Sequence, residues 1–223
     1  MSETLPCVVA EGVARLTINR PDKANAVGPR ERALIRAHCA ALAGRAEVRA
    51  VVLEGAGEKA FCSGADLEEV TAMAGDEDAM RAFIADWTLT TDALAALPQL
   101  TIARMERTVA GGGLALALAC DLRILAAEAS AFYPALRRGV IPPASDLARL
   151  TRLVGTGRAK WLLLGGRRLG GTEAQALGLV EAAPPRAGIA ALEAELLAEA
   201  LAAPAGHGAK LKAALNAAAS GRA

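Results

Sequence analysis

Short apolar runs alternate with helical stretches through most of this chain, and that alternation limits its fold more than any other feature. Cys7–Ala10 and Val13–Ile18 flank Gly12 and read as a pair of strands. Arg30–Leu42 reads as a helix, with Leu34, Ile35, His38 and Leu42 near one face. Arg49–Leu53 is a short β-branched run that ends in Glu54-Gly55-Ala56-Gly57, a buried strand followed by a turn. A helical stretch from Asp66 to about Leu97 breaks near Gly75, and strands at Leu100–Met105 and Leu122–Ala126 enclose a helix at Gly112–Ala119. Beyond Pro142-Pro143 the pattern is nearly all helical and punctuated by glycine, with an amphipathic helix from Ile189 to about Ala202 after Pro184-Pro185. Strand and helix in alternation, with helices gathered at the end, predict an α/β layer fold.

Composition narrows the partners. The 223 residues hold 25 basic and 24 acidic side chains, a net charge of +1. No basic field is available for nucleic acid or for an anionic membrane surface. A hydrophobic fraction of 53% excludes a disordered chain. The uncharged run Val109–Cys120 falls well short of the roughly 20 residues of a membrane span. Residues Met1–Ala10 lack the basic and apolar regions of a secretory signal, so a cytoplasmic location is expected. Cys7, Cys39, Cys62 and Cys120 are scattered without metal-ligand spacing, which predicts reduced thiols and no metal. There are two histidines: His38 is expected to be structural, and His207 to lie exposed in a late loop.

Two segments place glycine just before a helix: Phe61-Cys62-Ser63-Gly64-Ala65-Asp66-Leu67, and Ala110-Gly111-Gly112-Gly113 leading into Leu114–Cys120. The first N–H groups of a helix lack internal partners, and the helix dipole makes that end electropositive. Two such ends converging would cradle a developing oxyanion, with glycine allowing close backbone approach. Each segment alone also suits an ordinary helix entry. Neither matches a phosphate-binding pattern.

Together with their neighbours, these segments resemble a known family. Asn19-Arg-Pro-Asp-Lys-Ala-Asn-Ala26, Val51-Val-Leu-Glu-Gly-Ala-Gly57 and Ala60-Phe-Cys-Ser-Gly-Ala-Asp-Leu67 look like the enoyl-CoA hydratase/isomerase (crotonase) superfamily. So do Gly111-Gly112-Gly113 with Ala119-Cys-Asp-Leu-Arg123, Arg152-Leu-Val-Gly155, Leu164-Gly-Gly-Arg167 and Ala176-Leu-Gly-Leu-Val180, in order and with matching spacing over about residues 8 to 182. The resemblance implies a ClpP/crotonase-like spiral of ββα units over residues 1–183. A shortened C-terminal helical segment is expected over 184–223. It also implies a coenzyme A thioester, or an acyl-carrier thioester, as substrate, with no intrinsic cofactor and a homo-oligomer, trimer or hexamer. By motif the two oxyanion donors are the N–H groups of Ala65 and Gly112. CoA is expected along Lys23, Ala24, Ala26, Ser63, Gly64, Ala65, Asp66 and Leu67.

The departures from the family pattern bear on the reaction. Family hydratases carry one glutamate three residues after the second donor and another after a proline; here those positions are Ala115 and Ala135. Acid–base groups contribute about 10²–10⁴-fold each, so an efficient two-glutamate hydratase is not expected. In Ile141-Pro-Pro-Ala-Ser-Asp146, Ser145 or Asp146 is either the N-cap of a helix or a replacement acid–base group. Tyr133 is either a packing residue or a hydrogen-bond donor to substrate, and Ser63 shapes the loop beside a donor. Arg104 and Arg107 flank Glu106 and read as an ion-pair network or as ligands for an anionic substrate group. Two functions fit: a thioester enzyme, decarboxylase or isomerase, that uses the oxyanion hole without the glutamates, or a non-catalytic acyl-CoA-binding homologue or accessory subunit. A serine peptidase is disfavoured because neither histidine has a triad context.

Overall fold

The computed structural model describes residues 3–219. Cys7–Ala10 (β1) and Val13–Ile18 (β2) pair antiparallel across Glu11-Gly12, a turn in which both residues have positive φ. Pro29–Ala43 (α1) leads to Ala50–Gly55 (β3), which lies parallel to β2 with Val13 opposite Ala50. Residues Ala50–Leu53 are buried throughout, as expected of a parallel strand covered on both faces. Ala60–Cys62 (β4), Leu67–Ala72 (α2) and Glu77–Ala95 (α3) follow, the last two separated at Gly75, where φ is 82°. Next come Leu100–Met105 (β5), Thr108–Ala110 (β6), Gly112–Ala119 (α4), Leu122–Leu125 (β7) and Ser130–Phe132 (β8).

One sheet has the order β1-β2-β3-β5-β7, and β4, β6 and β8 lie side by side in a second. Each turn of the chain thus lays one strand in each sheet: β3 then β4, β5 then β6, β7 then β8. This is the ββα spiral. The sequence pattern identified the first sheet and missed the second, whose three-residue strands are too short to show a period.

Ala135–Arg138 (α5) and Ala144–Leu164 (α6) follow, the latter kinked at Gly155. Arg168–Gly170 (β9) is a correction to the all-helical reading of this region: it pairs antiparallel with β8 and closes the second sheet. Gly171–Ala176 (α7), Ile189–Ala202 (α8) and His207–Ala219 (α9) complete the described residues, with α8 packed on β3 and β5. His207 is exposed but opens α9 rather than lying in a loop. The backbone near Pro184 is tied to the strand layer by Leu125 N–H to Ala182 O (3.1 Å) and Ala127 N–H to Pro184 O (2.9 Å). Among the described residues no helix is long and apolar enough to cross a membrane.

Two internal features position the site. Helix α4 is apolar all round and buried from Gly113 to Ala119, so it runs through the core between the layers. A Cβ at Gly113 would stand 2.5 Å from Cys62 O, which fixes α4 against β4. Beneath α3, Arg32 of α1 is 2% exposed and forms ion pairs with Glu69 and Asp86. Its guanidinium lies 5.3 Å from the ring centres of both Phe83 and Trp87. Arg32→Met should lower stability by about 3 kcal/mol in urea denaturation, because Glu69 loses its counter-ion and Asp86 is left with Arg36 alone. A change below the error of that measurement would show the cluster to be energetically neutral.

Candidate functional site

The loop after β4 is built almost entirely from backbone bonds. Val27 N–H donates to Gly64 O (2.9 Å), Asp66 N–H to Val27 O (3.2 Å) and Ser63 N–H to Ala24 O (3.1 Å). Gly64 has φ 107°, and a Cβ there would come within 3.0 Å of Ala110 O and 3.1 Å of Gly112 N. Only glycine brings the two helix entries this close. On the facing loop, Gly111 N–H donates to Phe132 O (3.1 Å), which turns the chain into α4. The N–H groups of Ala65 and Gly112 have no protein acceptor among the described residues. They are a pair of unspent donors on adjacent turns of the spiral.

Asn25 fixes the flanking turn. It is fully buried, with φ 56°, and its Nδ2 donates to Ala56 O (2.8 Å) and Ala60 O (2.7 Å) while its Oδ1 accepts Arg20 N–H (3.0 Å). Arg20 in turn donates to Ala26 O (2.8 Å) and to Asp66 Oδ2 (2.9 Å). Burial pushes the Asp66 carboxyl up, but Arg20 and the Glu68 N–H prevail and hold it below the usual range. It stays ionised and caps α2.

A cavity of about 550 Å³ opens beside the two donors. Lys23, Ala26 and Ser63 through Leu67 line it, whereas Ala24 stands behind them, its carbonyl spent on Ser63. Exposed Lys23, Leu67, Arg138 and Ile141 form the mouth, and buried Phe83, Trp87, Tyr133 and Asp146 form the floor. Ala135 is in the wall; Ala115 is enclosed in α4.

Asp146 is the charged group of the floor. The reading of Ser145 or Asp146 as an N-cap is not met: α6 begins at Ala144 after Pro143 with no side-chain cap. Asp146 Oδ1 instead accepts from Arg149 Nη1 (2.9 Å), and Arg149 Nη2 is held by Asp92 Oδ1 (2.5 Å). Asp146 Oδ2 is buried without a hydrogen-bond partner. Burial pushes its carboxyl up to about 6, against the lowering pull of Thr91 and Arg149. Tyr133 is pushed well above the ordinary phenol range, first by burial and then by the charge of Asp146, so its hydroxyl keeps its proton. Arg149→Met should raise the Asp146 titration further, observed through its carboxyl carbon by NMR; an unmoved titration would show that the guanidinium does not govern it.

Other residues singled out in the sequence lie elsewhere. Arg104 pairs with Glu106, Glu54 and Glu193, and Arg107 with Glu58, around a separate polar cleft. They are an ion-pair network away from the cavity. His38 Nε2 lies 3.0 Å from Leu5 O. Burial pushes Cys39, Cys62 and Cys120 up to about 12, so they remain thiols. Sequence reasoning missed Trp87 and Arg149; the Asp146–Arg149 spacing of three on a helix was the available signal for the second.

Comparison with known proteins gives consistent matches. A family model described as enoyl-CoA hydratase/isomerase matches residues 9–223. The putative enoyl-CoA hydratase/isomerase YngF of Bacillus subtilis is 40% identical over 171 residues, 77% of this chain and 65% of that protein. The mitochondrial enoyl-CoA hydratase domain-containing protein 2 of Homo sapiens is 38% identical over 76% of this chain and 58% of its own length. The matched region therefore spans less than two thirds of these curated relatives. A solved structure of an enoyl-CoA hydratase/carnithine racemase from Magnetospirillum magneticum superposes with a TM-score of 0.91 at 28% identity, over 97% of this chain and 81% of that one. AtuE of Pseudomonas aeruginosa superposes at 0.89 with 34% identity, over 96% and 83%.

Proposed function

Because the chain belongs to the enoyl-CoA hydratase/isomerase family, we propose that it acts on an acyl-CoA thioester and moves a proton at the α-carbon with Asp146 as its acid–base group. The observation that carries this reading is Asp146: a buried carboxyl in the cavity floor, pushed up to about 6 by burial, with one oxygen unbonded. The thioester oxygen would accept from the Ala65 and Gly112 N–H groups. Negative charge that develops there when the α-proton leaves is then met by preorganised donors. The carboxylate takes that proton and, as the carboxylic acid, returns it at the γ-carbon, which shifts the double bond. A base with a pKa near the working pH can be found in both forms, as such a shuttle requires. Hydration would need a second group to activate water, and the positions matched to the family glutamates are Ala115 and Ala135.

A second reading, decarboxylation of a malonyl-type thioester, is favoured by Arg138. This cation lines the mouth and has no ion pair among the described residues. Loss of CO₂ leaves the enolate pair of electrons on the α-carbon without any base. Against it stands the charge on Asp146, which repels a substrate carboxylate in the same cavity.

The test is incubation of the protein in D₂O with β,γ-unsaturated, α,β-unsaturated and malonyl-CoA thioesters, followed by NMR. Migration of the double bond supports the first reading, with deuterium entering at the γ-carbon of the α,β-unsaturated product to the extent that the Asp146 carboxyl exchanges with solvent. Release of CO₂ from the malonyl thioester, a solvent deuteron taking its place at the α-carbon, with no double-bond migration in the unsaturated thioesters, supports the second. Binding with neither outcome leaves a non-catalytic acyl-CoA-binding or accessory protein. The same reading carries no resident cofactor, CoA entering with the substrate, and a homo-oligomer in the cytoplasm, the former to be measured by sedimentation.

A further inference from the structure

The floor of the cavity is closely braced. Trp87 lies flush against the oxyanion donor, since a Cβ at Gly112 would meet its ring atoms at 2.4 to 2.9 Å. Phe83 meets Trp87 edge to face, with ring centres 6.3 Å apart at 66°. Buried Arg32 backs both rings and is itself anchored by Glu69 and Asp86. An aromatic side chain clamped on three sides cannot rotate aside to admit a longer guest without breaking a buried ion-pair cluster. Trp87, Phe83 and Tyr133, all under 9% exposed, make up the buried side of the cavity next to that donor, whereas its mouth holds the exposed residues Leu67 and Ile141.

We propose that Trp87, fixed in place by Arg32, sets the upper limit on acyl length, so that this site takes short-chain acyl thioesters and excludes long ones. The inference rests on the reading that the cavity receives an acyl-CoA. A carbonyl seated on the Gly112 N–H would bring the acyl carbons that follow against the indole that packs on that residue. Shortening that side chain frees the volume of the indole itself, between Gly112 and the Arg32 guanidinium.

The experiment is calorimetric titration of the full chain with two saturated, unreactive ligands, butyryl-CoA and dodecanoyl-CoA, against wild type and Trp87→Ala. Wild type should bind butyryl-CoA at least about tenfold more tightly than dodecanoyl-CoA, and Trp87→Ala should shift that ratio toward the long chain by about tenfold or more, within the range a hydrophobic pocket can discriminate. Trp87→Leu, which keeps an apolar filling, should shift it in the same direction and serves if the alanine variant does not fold. Equal binding of both ligands by wild type, or an unchanged ratio in the variants, would overturn the inference and leave the acyl-CoA reading standing. Binding of neither ligand by wild type would overturn both.

Discussion

Asp146→Asn should give a protein that is more stable at neutral pH and about 10²–10⁴-fold slower in proton transfer. The two effects share one cause. In the unfolded chain the carboxyl loses its proton near 3.8, and burial holds that proton in the folded chain until about 6. Between those values the native state binds more protons than the unfolded one, so stability falls as pH rises through the window. Above it, the ionised carboxylate opposes folding by about 3 kcal/mol, at roughly 1.4 kcal/mol per unit. Asparagine keeps the shape without the charge, and Arg149 keeps Asp92 as its partner. The Tm of Asp146→Asn should therefore exceed that of wild type at pH 7, and the difference should vanish near pH 4. Activity follows the opposite sign, because only the ionised form can take a proton. Wild-type kcat/KM should rise with pH through about 6, and the residual rate of the variant should lack that limb. A variant that is both fully active and no more stable would remove Asp146 from the mechanism.

The second large effect concerns the donor at Gly112, where the Trp87 ring complicates a simple substitution. Alanine at 112 retains the N–H but drives a Cβ into the indole, and proline would clash in the same place. Combining each change with Trp87→Ala removes the clash. Proline is tolerated at the first position of a helix, where its missing N–H costs no helical bond, and Gly112 is that position of α4. Gly112→Pro/Trp87→Ala should therefore fold as well as Gly112→Ala/Trp87→Ala, checked by circular dichroism. It should turn over thioester about 10²–10³-fold more slowly, the usual cost of one oxyanion donor. Equal turnover by the two double variants would show that this N–H takes no part.

Local signals in the sequence carry the parts of the site made from backbone. The glycines before α2 and α4 were legible because a helix entry and a close approach each demand a residue without a side chain. The parts made from side-chain contact were hidden. Arg32 looks like any surface arginine of α1 until Glu69 of α2 and Asp86 of α3 are brought over it. Trp87 reads as a core aromatic, and its role depends on contact with Gly112, on another helix. Asp146 carried two readings because an acidic residue in a first turn suits a cap as well as a cavity wall; Pro143 before Ala144 moved the helix start and freed the carboxylate for Arg149. The strands of the second sheet escaped notice for a different reason: three residues hold too little alternation to register.

The seating of the two donors has a bearing on how such proteins diverge. Ala65 follows β4 and Gly112 follows β6, and these strands are direct neighbours. Past the strands, backbone bonds hold each loop, Val27 N–H to Gly64 O on one and Gly111 N–H to Phe132 O on the other, and these set where the two N–H groups stand. No side chain that lines the cavity takes part in those bonds, so mutations can exchange the acids, bases and wall residues around the two N–H groups while their placement survives. On the function proposed above, a lineage of this architecture can thus lose one chemistry and try another without passing through a form that no longer holds its substrate.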